Sequence, residues 1–438
     1  MVGASRLIMT AYPQAGTNIR TTVTPTGLII ITETLPYIRS VALGLAFRLG
    51  SRDDPQDKSG MAHLIEHMVF KGTPERDARS ISIAAESHGA ELNAFTDKEL
   101  TCFYGRFLGD QQVPMTELLA EIIARPAFAP SELAKEKQVV AEEIKTSNED
   151  PDTKAVNLML QAFYGDHTMA APIVGTIDSV GHMDDELLRS FYQERYHCGN
   201  GVAVAVGDIR HEELTDTLAR VLENRHQPEL PARKKAEVAN THVLVQTRQD
   251  LSQVYLCLAR PAFPYSDPRR YALSVLNTAL GGGMSSRLFQ RLREEEALVY
   301  SVSSFVELYG DSGLIGVYFV TDKRKLEQCI RVLDEEIKRL RTNRLEKEEF
   351  ERACNMTKSA VLLGLESPTT RMLRLARTHH MLGRLIKVDE TLDAYNRLGL
   401  DEVNGLVDEI FDNGDYHIGA VGPITAEKLE KVIGHLNS

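Results

Sequence analysis

The segment His63-Leu64-Ile65-Glu66-His67 carries three side chains whose types and spacing suit metal-assisted hydrolysis. Two His four residues apart on a helix lie one turn apart on one face, close enough for their ring nitrogens to share a Zn²⁺ at about 2.0–2.1 Å. Glu66 immediately precedes the second His and points to nearly the same side, where a carboxylate can serve as general base toward water. The bland alternative is a polar stripe on a surface helix. With 13 His in the chain, chance produces such a five-residue pattern on the order of a few times in a hundred sequences. Leu64, Ile65, Met68, Val69 and Phe70 make the segment too apolar for a solvated helix, so its polar side chains are expected to be partly buried together.

Two His leave zinc one protein ligand short, because catalytic sites usually hold three. The candidate source is the helical pattern Ser131–Ser147, where Glu136 and Glu143 stand seven apart, about 20° from each other around a helix. Both flank an apolar stripe holding Val139 and Val140. Spacing alone does not choose between these two acids. Glu132, Lys135, Lys137 and Glu142 read instead as a solvated row.

The elements that must position these groups read as α+β with antiparallel sheet. A strand run covers Thr21–Glu33. In Ser40–Leu49, Val41, Leu43, Leu45, Phe47 and Leu49 face one way, while Ala42, Gly44 and Ala46 face the other and admit a close neighbour. Helical patterns fall at 60–70, 80–88, 115–124, 131–147 and 184–196, with strands at 91–105 and 201–207. The stretch 226–236, rich in Pro and charge, reads as a linker between an N-terminal unit, 1–225, and a C-terminal unit, 237–438. Element order recurs after it, from a strand at 252–258 and a helix at 268–280 to a last strand at 416–421. The two halves are therefore expected to be divergent copies of one unit.

Composition narrows the remaining classes. The chain has 438 residues, 43% hydrophobic and 26% charged, which is ordinary for a folded protein of more than one domain. A formal charge of −12 opposes nucleic-acid binding by charge neutralisation and favours neutral or basic partners. No apolar run approaches the roughly 20 residues that span a bilayer, so no membrane segment is expected. Five scattered Cys without a CxxC pair suggest neither a disulfide framework nor a thiolate zinc site, and fit a reducing cytoplasm. Residues 1–32 hold two Arg and no acid, as a mitochondrial transit peptide would, but Thr21–Ile31 already reads as strand.

The stretches SGMAHLIEHMVFKGT, ELNAFTDKELTCFYG, EKQVVAEEI and LGGGMSSRLFQRLREEEALVYSV together resemble the pitrilysin family of inverzincins, especially its processing-peptidase branch. The resemblance covers most of the chain from about residue 21. It implies two homologous α/β-sandwich domains with mainly antiparallel sheets and helices packed on them. It also implies one zinc per chain held by His63, His67 and Glu143, with Glu136 a nearby supporting acid. Glu66 becomes the base of a zinc endopeptidase acting on unfolded peptides or presequence-like segments. Asn93, Ala94 and Phe95 map to an edge strand that pairs with extended substrate, and Arg293 and Tyr300 to donors that hold the substrate and the carbonyl oxygen. The family implies a homodimer, with a heterodimer as the alternative. The rival readings are a non-catalytic partner or scaffold subunit, and a peptide-binding module with a vestigial metal. The bacterial cytoplasm is the expected location, ahead of the mitochondrial matrix. Gly281–Gly283 lacks the GK[ST] continuation of a phosphate loop.

Overall fold

The computed structural model describes residues 10–11, 18–222, 229–411 and 416–434. Part of the expected linker, 226–228, lies outside the described residues, and 229–236 carry no regular secondary structure. The chain forms two compact units that are not its continuous halves. One comprises 1–144, 172–233 and 364–385; the other comprises 145–171, 234–363 and 386–438.

Among the described residues the first unit holds seven strands: β1 (Thr10–Ala11), β2 (Ile19–Val23), β3 (Ile29–Thr34), β4 (Ser40–Phe47), β5 (Glu91–Thr96), β6 (Thr101–Leu108) and β7 (Gly201–Gly207). They lie in the order β1-β2-β3-β7-β4-β6-β5, so β5 is an edge. All neighbours are antiparallel except β3 and β7. The expected single strand over 21–33 is a hairpin instead. Gly27 turns the chain at φ 79°, a left-handed conformation that glycine adopts without strain, and Thr24 receives the Leu28 N–H on its hydroxyl.

The second unit holds β8 (Val243–Thr247), β9 (Gln253–Ala262), β10 (Val299–Leu308), β11 (Gly313–Asp322) and β12 (His417–Gly422), ordered β10-β11-β9-β12-β8. Among the described residues its one parallel pair is β8 with β12. Matching β3–β7 to β8–β12 in chain order superposes every neighbour and the single parallel pair. The same sheet plan is thus used twice.

Each sheet is covered on one face by a helix from the other half of the sequence. The helix Pro368–Leu382 packs Met372, Leu375 and Ala376 against Ala42, Ala46, Val202, Val204 and Val206 of the first sheet. This is the close neighbour that the small residues of β4 admit: a Cβ on Gly44 would lie 2.3 Å from Met372 Sδ. Reciprocally, Ala155, Met159 and Phe163 pack against Cys257, Ala259 and Val421 of the second sheet, and a Cβ on Gly419 would lie 2.2 Å from Ala155 O.

On the opposite face of the first sheet sit α1 (Met61–Val69), α2 (Ala78–Ser87), α3 (Gln112–Ala124) and α4 (Pro130–Glu149), before α5 (Pro151–Tyr164) enters the second unit. Leu64, Ile65 and Met68 of α1 are fully buried with Val41, Leu43 and Leu45. Burial of each such side chain contributes about 1.5–3 kcal/mol. That anchorage fixes the rotation of α1 about its axis, and with it the direction of His63, Glu66 and His67.

Candidate metal centre

The entry of α1 is built by two residues. Gly60 sits at φ 90°, and a Cβ there would lie 2.7 Å from Val174 O, so only glycine fits. Asp54, buried, receives the main-chain N–H groups of Gly60 (2.8 Å), Met61 (3.2 Å) and Ala62 (2.9 Å) on its carboxylate. It thereby satisfies donors that an uncapped helix leaves open. Burial pushes its pKa up to about 8, against the downward pull of those N–H donors. Behind it, Arg52 pairs with Glu99 at 2.5 Å, and Arg233 reaches both Asp53 (2.7 Å) and Glu99 (3.3 Å), tying the approach to α1 to the β5–β6 turn.

His63 Nε2 and His67 Nε2 stand 3.7 and 3.6 Å from the same atom, Glu143 Oε2. The three ligand atoms all lie within 4.8 Å of one another. These separations exceed hydrogen-bond length and approach the roughly 3.3 Å between neighbouring ligands of a tetrahedral ion held at about 2.0–2.1 Å. Among the described residues no other group of His, Cys, Asp and Glu converges in this way. Burial, followed by the neighbouring His67, holds the His63 pKa down at about 4, so the ring is neutral, as a metal ligand must be.

Glu136 faces the other side of the His67 imidazole. Its Oε2 lies 3.1 Å from His67 Nδ1, and its Oε1 lies 2.8 Å from Lys71 Nζ. A carboxylate on Nδ1 places the proton there and leaves the Nε2 lone pair toward Glu143. The two acids that spacing could not separate are separated by geometry: Glu143 meets both Nε2 atoms, whereas Glu136 meets one Nδ1. The residues present fit a zinc ion.

Glu66 lies outside the ligand group. Thr96, at the end of β5, donates its hydroxyl to Glu66 Oε2 at 2.6 Å. Burial raises the Glu66 pKa, the Thr96 hydrogen bond and His67 lower it, and Glu143 raises it. Asn93, Ala94 and Phe95 occupy the edge strand β5; Asn93 Oδ1 accepts the Ala94 N–H at 2.8 Å, and the Phe95 ring packs edge-on to Tyr104.

Arg293 and Tyr300 belong to the second unit. Arg293 lies on a π-helical segment, Phe289–Glu295, with its guanidinium 4.9 Å from the Phe289 ring centre and 5.9 Å from that of Tyr300. Tyr300 is 78% exposed on β10. The segment is anchored by Arg287, paired with Glu349 at 2.7 Å and Glu336 at 3.5 Å, and by Arg291, paired with Glu295 at 2.6 Å and also near Glu336.

Sequence reasoning missed Asp54, Lys71 and Thr96. Lys71 had a signal, since it falls one turn beyond His67 on the same face. Asp54 and Thr96 reach α1 from a loop and a strand end, where no helical period points to them.

Residues 29–177 match the family described as "Insulinase (Peptidase family M16)" and residues 182–357 match "Peptidase M16 inactive domain". The chain belongs to peptidase family M16, a family of zinc proteases. It is similar to an uncharacterised zinc protease of Mycobacterium bovis, 33% identical over 418 residues and covering 94% of this chain and 95% of the relative. An uncharacterised zinc protease of Bacillus subtilis is also 33% identical, over 397 residues, 91% of this chain and 96% of the relative. Among solved structures, a protease from Helicobacter pylori has a TM-score of 0.86 at 18% identity, covering 93% of this chain and 100% of that one. A peptidase M16 inactive domain from Pseudomonas fluorescens has a TM-score of 0.86 at 22% identity, with 93% and 98% covered. These structures share its fold. No described helix is long and apolar enough to cross a membrane, and all five Cys are buried.

Proposed function

We propose that the chain is a zinc-dependent endopeptidase that cleaves unfolded peptides or flexible presequence-like segments, with one zinc per chain and Glu66 as general base. The observation that carries this reading is the convergence of His63 Nε2, His67 Nε2 and Glu143 Oε2, with Glu66 beside them but turned to Thr96. When bound, zinc supplies Lewis acidity toward a peptide carbonyl and toward water. Glu66 takes the proton from the attacking water and returns it to the leaving amine. Its partial burial keeps bulk water from solvating the carboxylate and so raises its basicity. Glu136, backed by Lys71, holds the His67 tautomer. Asn93, Ala94 and Phe95 offer the edge of β5 to an extended peptide, which makes recognition depend on main-chain hydrogen bonds more than on side chains. Arg293 and Tyr300 are the proposed donors to the substrate and its carbonyl oxygen.

We further read the active form as a homodimer in a reducing bacterial cytoplasm. The test is direct: the purified chain, alone, is assayed for zinc by elemental analysis and for cleavage of an unstructured peptide, before and after chelation. The reading expects stoichiometric zinc, and activity lost on chelation and recovered on adding zinc back. Stoichiometric zinc without cleavage would favour a peptide-binding module, and neither zinc nor cleavage a scaffold subunit.

A further inference from the structure

We propose that Thr96 is the positioning residue that fixes the Glu66 carboxylate and ties it to the edge strand; the inference rests on the reading of Glu66 as general base. The β5–β6 hairpin is closed by Asp97 N–H donating to Leu100 O at 2.8 Å. In an antiparallel ladder, residues that exchange hydrogen bonds with their partner alternate with residues that do not. Counting back from that closing pair, Phe95, Asn93 and Glu91 bond across to Cys102, Tyr104 and Arg106 in the observed register. Leu92, Ala94 and Thr96 therefore turn their main-chain N–H and C=O groups toward the free edge. The Ala94 N–H agrees, since it donates to Asn93 Oδ1.

Thr96 is thus the last residue of the exposed edge, and it has two roles at once. Its main chain faces the line along which a peptide would join the sheet. Its hydroxyl donates to Glu66 Oε2 at 2.6 Å, within the short range of charge-assisted O–H···O⁻ bonds. With Oε2 engaged, Oε1 is the oxygen that receives the proton. A peptide paired with Ala94 and Thr96 is placed in register with the base through a single residue, so the strand that binds substrate also decides which peptide bond meets Glu66. A carboxylate on three rotatable bonds, without that hydroxyl, spends less time in the productive orientation, and misplacement of about 1 Å is costly in rate.

The experiment uses the full-length zinc-loaded chain and reads zinc per chain, kcat and KM on an unstructured peptide for Thr96→Val, Thr96→Ser and Glu66→Gln. Thr96→Val is expected to keep stoichiometric zinc and a KM within about threefold of the parent while kcat falls about 10–100-fold, the range for loss of a supporting hydrogen bond. Thr96→Ser, which restores the hydroxyl, is expected to recover most of that loss. The proposal is overturned by Thr96→Val with parental kcat, by a loss that lies in KM or in zinc content, or by Thr96→Ser as impaired as Thr96→Val. An inactive Glu66→Gln beside an unimpaired Thr96→Val rejects the role of Thr96 and leaves the base in place. An active Glu66→Gln rejects the base, and this inference with it.

Discussion

The two units use one sheet plan and put different residues on it. In the first, the first helix between the second and third strands of the repeat is α1, anchored by Leu64, Ile65 and Met68, with His63 and His67 turned to Glu143 of α4 and Glu66 turned to Thr96. In the second, the corresponding helix, Arg270–Gly281, buries Ala272, Leu273, Val275, Leu276, Ala279 and Leu280 and carries no His or acid. The difference lies in what the two helices carry and not in how much they bury: α1 sets two His and a Glu beside its neighbours, and the second helix offers no such group. Both units nevertheless end that region in an edge strand, β5 with Thr96 and β10 with Tyr300. The scaffold repeats, and the sites diverge where a few side chains differ.

The contrast can be broken most forcefully at the ligands. His67→Ala, or Glu143→Ala, is expected to remove stoichiometric zinc and with it all measurable cleavage, because two remaining ligands do not form a closed site. Zinc retained by either variant would place the metal elsewhere. A smaller effect is expected one contact further out. Lys71→Met and Glu136→Gln should each weaken zinc binding about 10–100-fold in a chelator competition, by loosening the contact that orients His67. Unchanged affinity in both would reduce the Lys71–Glu136–His67 chain to a packing feature.

The repeat itself can be sharpened by stability. Gly44→Ala and Gly419→Ala press a methyl toward equivalent exchanged helices, but against different atoms: the end of a flexible Met372 side chain in the first unit, and the main chain of Ala155 and Met159 in the second. Overpacking typically costs about 1–3 kcal/mol, and the backbone cannot yield as a thioether can. Gly419→Ala should therefore lower the melting temperature more than Gly44→Ala. Equal or reversed shifts would mean that the two sheets tolerate their helices alike. The smallest effect concerns substrate: the formal charge of −12 favours peptides with Arg near the cut by a salt-sensitive, few-fold gain in kcat/KM. Indifference to Arg placement removes that preference.

Much of the site was legible because it is local. The His–Glu–His spacing sits on one helix, and the apolar Leu64, Ile65 and Met68 announce its buried side. The row Ala42, Gly44, Ala46 likewise announced a close neighbour. What covers that row was not legible, since a helix more than three hundred residues away in sequence leaves no periodic trace in β4. The same holds for the exchange that puts α5 under the second sheet, and for Asp54 and Thr96, which serve α1 from outside it. Spacing did not choose between Glu136 and Glu143, which lie about 20° apart on a helix; the family resemblance named Glu143, and in the fold the two acids meet different imidazole nitrogens.

The central claim is that the metal ligands and the general base both belong to the first unit, with the proton handled by Glu66. Its most direct test is Glu66→Gln, purified in parallel with the parent chain, with zinc per chain and peptide cleavage measured on the same samples. The account predicts about one zinc per chain in both and cleavage in the parent alone, with the loss at least in the 10²–10⁴-fold range of general-base catalysis. Glu66→Gln that binds zinc and cleaves at the parental rate would contradict it.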